Sequence, residues 1–184
     1  GYCGNPSENM KYYLDGTTLR FVSYDGSSQT MATYSSDYYI PWKNYNYNTV
    51  DLSMVSEISP YAFFGSHLTN VAIPSTVTSI GTFAFGNCQS LTNITVTGGT
   101  SFAADGNVLY NYGKTNLICY PAGKTGYNYE LPSTVTAITS GAFAYERYLK
   151  TITVAGGTAF MAIDGVLYGQ NGSSTPTSLI YYPS

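Results

Sequence analysis

The chain is 184 residues long with only 9% charged residues, a net charge of −3 and 20 tyrosines. So few basic groups exclude phosphate-backbone binding, and so many aromatics exclude intrinsic disorder. The chain has no apolar run of about 18 residues, so no membrane-spanning helix is predicted.

From the front, "YYLDGTTLRFV" reads as a β-hairpin, and its place suggests a cover for the open end of whatever follows. "YSSDYYIPWKNYNYN", from Tyr34 to Asn48, is next. Its Tyr38, Tyr39, Trp42, Tyr45 and Tyr47 are read as packing of an irregular cap, or as an aromatic platform for a glycan or peptide. Residues 1–50 are thus expected to form a β-rich capping module, and 51–184 a second unit built from repeats.

The repeats are explicit. "VSEISPYAFFGSHLTNVAIP" from Val55 is echoed by "VTSIGTFAFGNCQSLTNITV" from Val77, 22 residues on. "IPSTVTSIGTFAFGNC" from Ile73 is echoed by "LPSTVTAITSGAFAYE" from Leu131, 58 residues on. The longer offset also carries Leu91 to Leu149, Ile94 to Ile152, Phe102 to Phe160 and Tyr110 to Tyr168, before widening to 62 residues between Leu117 and Leu179. The basic unit is therefore about 23 residues, and the longer unit is that module with an insertion.

A unit this small cannot bury its own apolar side, so a stacked solenoid is predicted. "LTNITV" alternates like a strand, with the following Pro expected to end its counterparts after Ile73 and Leu131. "VTSI" is a second extended segment with Val77 and Ile80 inward. "AF" falls on a tight turn or single helical turn. Phe63, Phe85 and Phe143 are expected to stack in one column, where losing a ring would cost about 3–5 kcal/mol. The insertions, placed at 102–121 and 160–183, read as hairpins pairing Val108–Tyr110 with Leu117–Tyr120 and Val166–Tyr168 with Leu179–Tyr182. Their Asp-Gly pairs, Asp105-Gly106 and Asp164-Gly165, suit turns better than the spaced acidic pattern of a calcium loop.

At these residues the chain resembles the BspA-type leucine-rich repeat family. "LTNVAIPSTVTSIGTFAFGNC" is similar to its pattern L-T-x-I-x-I-P-x-S-V-T-x-I-G-x-x-A-F-x-x-C. "DGNVLYNYGKTNLICYPAGK" is similar to a "DGVLY…LIYYPAGK" segment found in the family, and "CGNPSENMKYYLDGTTLRFV…PWKNYN" resembles its lead-in module. The family glycine is kept at Gly81 but is Ser59 and Thr139 elsewhere; the family cysteine is kept at Cys88 but is Ser66 and Glu146 elsewhere. The resemblance implies a mainly β solenoid, a right-handed superhelix with short strands, tight or 3-10 turns and inserted hairpins.

Catalytic chemistry is not legible. The chain has one histidine, His67, and no nucleophile, metal or phosphate-loop motif. Cys3, Cys88 and Cys119 lack metal spacing and are expected to stay unpaired. Asn93-Ile94-Thr95 and Asn171-Gly172-Ser173 match the glycosylation acceptor, a cheap pattern in so polar a chain. The expectation is a non-enzyme with no cofactor and no metal, acting as a monomer and binding neither nucleic acid nor membrane. Its outward strand positions, Asn70, Ala72, Asn93, Thr95, Thr151 and Thr153, form a polar, uncharged candidate face. The resemblance implies an extracellular or cell-surface protein of a host-associated bacterium, exposed after removal of a signal peptide and adhering to a host protein or glycan. The alternative is a structural spacer or assembly unit of a larger surface protein.

Overall fold

In the computed structural model, residues 10–32, 40–157, 159–172 and 175–183 are described. Cys3, Tyr38, Tyr39 and Ser173 lie outside them. The described chain is all strand and turn, without helix.

Strands β1 (Met10–Asp15) and β2 (Thr18–Ser23) form the expected antiparallel hairpin, turning at Gly16 with φ +60°. β2 then pairs in parallel with β4 (Thr49–Asp51), after the short β3 (Gln29–Thr30). The front hairpin is therefore hydrogen-bonded into the stack as its first rung. From there the repeat lays down two columns of parallel strands. β6 (Asn70–Pro74) and β8 (Asn93–Thr97) are one, in register from Asn70↔Asn93 to Pro74↔Thr97. β3, β5 (Val55–Ile58) and β7 (Ser79–Ile80) are the other. Pro74 thus occupies the last position of β6 rather than lying beyond it; a proline is tolerated at a strand end, where a missing donor costs little.

Each insertion is a three-stranded meander, one strand more than the predicted hairpin. β9 (Phe102–Asp105), β10 (Val108–Asn111) and β11 (Asn116–Cys119) form the first; β15 (Phe160–Ile163), β16 (Val166–Gly169) and β17 (Ser178–Tyr181) the second. β9 and β15 escape sequence reading because "FAAD" and "FMAI" carry alanine and lack a run of β-branched residues. β11 next pairs in parallel with β13 (Ala137–Ile138), and β12 (Asn128–Leu131) with β14 (Thr151–Val154), so the stack resumes.

"AF" falls on tight turns. The Ala62 N–H donates to the Ser59 carbonyl (3.2 Å), Ala84 to Gly81 (3.2 Å) and Ala142 to Thr139 (2.9 Å). Tyr61, Phe83 and Gly141, the residue before each alanine, all take positive φ, at 61°, 56° and 78°. That is the conformation of the third position of a type II turn, where glycine is the usual occupant.

The single phenylalanine column does not form. Phe63 and Phe85 stack, centroids 5.5 Å apart and 10° between planes, within a core running from Met10 to Leu109. Phe143 lies in a second core, against Tyr181 (4.9 Å) and Tyr120 (5.5 Å). The cause is the insertion. Tyr120 donates its N–H to the Ala142 carbonyl at 2.8 Å, as Phe63 donates to Ala84 at 2.8 Å. Tyr120 therefore holds the place beside Phe143 that Phe63 holds beside Phe85. β10 stands between the cores: Leu109 belongs to the first, Val108 and Tyr110 to the second, and all three are buried.

Candidate functional site

Alternation along β6 and β8 sends Val71, Ile73 and Ile94 inward and leaves Asn70, Ala72 and Thr95 exposed, with Asn93 half-buried. Register sets Asn70 opposite Asn93 and Ala72 opposite Thr95. Thr151 and Thr153 lie on β14 instead, opposite Asn128 and Glu130 of β12, the latter pair unnoticed in the sequence. Among the described residues no pairing joins β8 to β12. The expected continuous face is therefore two separate ladders with the first insertion between them.

The first ladder continues onto the front module. Thr18, Arg20, Thr49 and Asp51 join Ala72 and Thr97 around an open hollow of about 360 Å³. The methyl group of Ala72 leaves room where a longer side chain would fill it. On its wall, Arg20 Nη1 donates to Asp51 Oδ2 at 2.6 Å and Nε to Asp15 Oδ2 at 2.9 Å. Partial burial works against the Asp51 charge, but donors from Ser53 and the Arg20 guanidinium outweigh it and hold that carboxyl below its ordinary range. Residues 18–51 match no repeat, so no periodicity pointed to these groups.

The aromatic platform is not formed as a surface. Trp42 is fully buried, its Nε1 donating to the Ala62 carbonyl at 2.7 Å and its ring edge-on to Tyr12 (5.3 Å) and Phe21 (5.1 Å). Tyr47 is buried as well, and that burial pushes its phenol up. Tyr45 is exposed. The reason is energetic: a large ring hidden in the cap gains far more than one left in water. Another aromatic group gathers on the turn side, unforeseen. Tyr61 and Phe83 stack at 5.4 Å, and Phe64 meets Tyr61 (5.7 Å) and the exposed Tyr145 (5.5 Å).

The remaining singled-out residues serve structure. His67 is exposed in a shallow polar hollow with Asn87, Gln89 and Arg147, whose Nη1 donates to Gln89 Oε1 at 3.0 Å. Cys88 is unpaired and buried, and burial pushes its thiol up to about 11, the direction of an unreactive thiol. Cys119, also unpaired, is raised for the same reason. Asp105 pairs with Lys114 at 2.6 Å beside the left-handed Gly106 and Asn107, so this Asp-Gly is a turn. Glu146, standing where the repeat has Cys88, is buried. Its carboxylate accepts the Tyr148 N–H (3.1 Å), the Leu149 N–H (2.8 Å) and the Tyr181 hydroxyl, tying β17 to the third turn. Burial raises its pKa.

Solved structures share this architecture. A leucine-rich repeat protein of Eubacterium ventriosum is 23% identical, covering 86% of this chain and 62% of its own, with a TM-score of 0.54. A leucine-rich cell surface protein of Faecalibacterium prausnitzii is 37% identical over 60% of this chain and 30% of its own, TM-score 0.55. The pneumococcal vaccine antigen PcpA is 31% identical over 59% and 28%, TM-score 0.55. The chain thus spans less than two thirds of the length of each. No curated protein matches. Residues 56–162, more than half of the chain, match the BspA type leucine rich repeat region in six copies. With its 23-residue module, parallel rungs and repeated Ala-Phe turns, the chain belongs to the BspA-type leucine-rich repeat family.

Proposed function

We propose that this chain is a non-enzymatic binding module, displayed outside the cell and recognising a host protein or glycan. The observation that carries the reading is the outward side of β2, β4, β6 and β8: exposed Asn, Thr and Ala positions beside a hollow whose one ion-paired cluster is Arg20 with Asp15 and Asp51. Such a surface offers hydrogen bonds with little charge, which suits a sugar or a neutral protein face. Support comes from the family and from one similar protein being a bacterial cell surface protein.

The test is an array of glycans and extracellular matrix proteins probed with the folded chain. The expected result is a retained ligand whose binding falls at least about tenfold with Ala72→Arg or Thr95→Arg, while circular dichroism and thermal unfolding stay unchanged. Silence across the array, or binding indifferent to both substitutions, removes the reading. A role as a repeat unit in a larger surface assembly is favoured by one separate observation, the uncovered apolar edge at β17.

A further inference from the structure

The repeat places one gap in the molecule twice. The first lies between β7 and β11, lined by Ile80, Phe83 and Phe85 with Ile118 and Cys119; its volume is about 10 Å³. The second lies between β13 and β17, lined by Ile138, Gly141 and Phe143 with Ile180 and Tyr181; its volume is about 490 Å³. The linings correspond residue by residue, at 58 positions on one wall and 62 on the other. The first gap is closed because Phe83 fills it and the next turn lies over it: a Cβ built on Gly141 would stand 2.3 Å from the Phe83 ring. In the second gap the ring is missing, because Gly141 stands where Phe83 stood.

What covers the first copy is on the page. β11 pairs in parallel with β13; the Thr139 N–H donates to the Leu117 carbonyl (2.9 Å), and the Tyr120 N–H to Ala142 (2.8 Å). Leu117 is 0% exposed and Tyr120 2%. Their counterparts on β17 are uncovered: Leu179 is 60% exposed and Tyr182 72%. Among the described residues β17 pairs with β16 alone. β16 repeats the dividing role of β10: Leu167 faces the second core as Leu109 faces the first, and Val166 and Tyr168 take the positions of Val108 and Tyr110, which line the core beyond. A face built to be one wall of a third core is apolar and unpaired, a state natural sheets avoid.

We propose that the β17 edge and its groove receive one further turn of the same repeat, joined in cis. Its V-T-x-I strand runs parallel to β17, and its Ala-Phe turn lies on Tyr182. This is independent of which ligand the outward face binds. Chain chemistry alone specifies the occupant, because the internal copy supplies the template: strand polarity, hydrogen-bonding partners at Leu179 and Tyr182, and a ring to fill the space left by Gly141.

The experiment extends the chain after Ser184 with a copy of residues 122–147. Thermal unfolding and amide exchange at Ile180 and Tyr182 are read before and after. The expected result is a Tm rise of about 4 °C or more and exchange at both amides slowed at least tenfold. Both gains should vanish when the appended Ala-Phe pair is replaced by Asp-Asp, and when Leu179→Lys is introduced into the extended chain. An extension that leaves Tm and exchange unchanged overturns the proposal. So does sedimentation of the unextended chain as a dimer that protects Ile180 and Tyr182, since the occupant would then be a second copy. Array binding by the face around Ala72 is read separately, so either idea can fail alone.

Discussion

Two glycines show how neighbouring turns constrain single residues. Gly81 has ordinary φ, but a Cβ there would lie 2.3 Å from the Pro60 nitrogen, a backbone atom that cannot swing away. Gly141 combines positive φ, +78°, with a Cβ position 2.3 Å from the Phe83 ring. Gly81→Ala and Gly141→Ala should each destabilise the fold by about 1–3 kcal/mol in urea unfolding. A double-mutant cycle separates the causes: Phe83→Ala should recover part of the Gly141→Ala loss and none of the Gly81→Ala loss. This also explains the family glycine's patchy presence. It is needed at 81 because the turn below presents Pro60, whereas Ser59 sits at the start of its turn with room to donate its hydroxyl to the Met31 carbonyl at 2.9 Å.

Among the elements, β10 carries more than its four residues suggest. Strands buried on both faces read as continuous apolar runs, and "VLY" is such a run. Tyr110 is tolerated there because its hydroxyl meets that of Tyr129 at 2.5 Å. Leu109→Ala removes a fully buried side chain from the first core and should cost about 2–5 kcal/mol. Tyr110→Phe, on the opposite face, leaves Tyr129 short of a partner and should cost about 1 kcal/mol. Two-dimensional NMR checks the division: Leu109→Ala should disturb resonances around Phe63 and Phe85, Tyr110→Phe those around Tyr129 and Phe143. The sequence identified the β10 and β11 pairing from β-rich runs flanking "NYGKTN", but not this wall. Sidedness between two cores depends on what packs against each face.

For the whole molecule, each turn contacts its neighbours, so stability is a sum of turns and interfaces. The inner rungs are covered on both sides. The last meander, β15 to β17, is covered on one, with Glu146 and the Tyr181–Phe143 stack among its ties. Native-state hydrogen exchange should therefore find β17 opening first, at least about tenfold faster than Val71 and Ile94 of β6 and β8. Uniform protection would mean the cores unfold as one unit.

Period and chemistry written into the chain determined the repeat length, the strand positions, the Ala-Phe turns and the family. These are local facts: alternation chooses which side chains point inward, and a repeated pattern needs a repeated structure. Only tertiary structure decided that Trp42 and Tyr47 are interior, that the phenylalanine column is split by Tyr120, and that the outward residues fall on two ladders. Each of these depends on where an insertion or the nonrepeating front lies in space. Residues of like spacing along the chain can then acquire unlike neighbours, and it is the neighbours that set burial and reach.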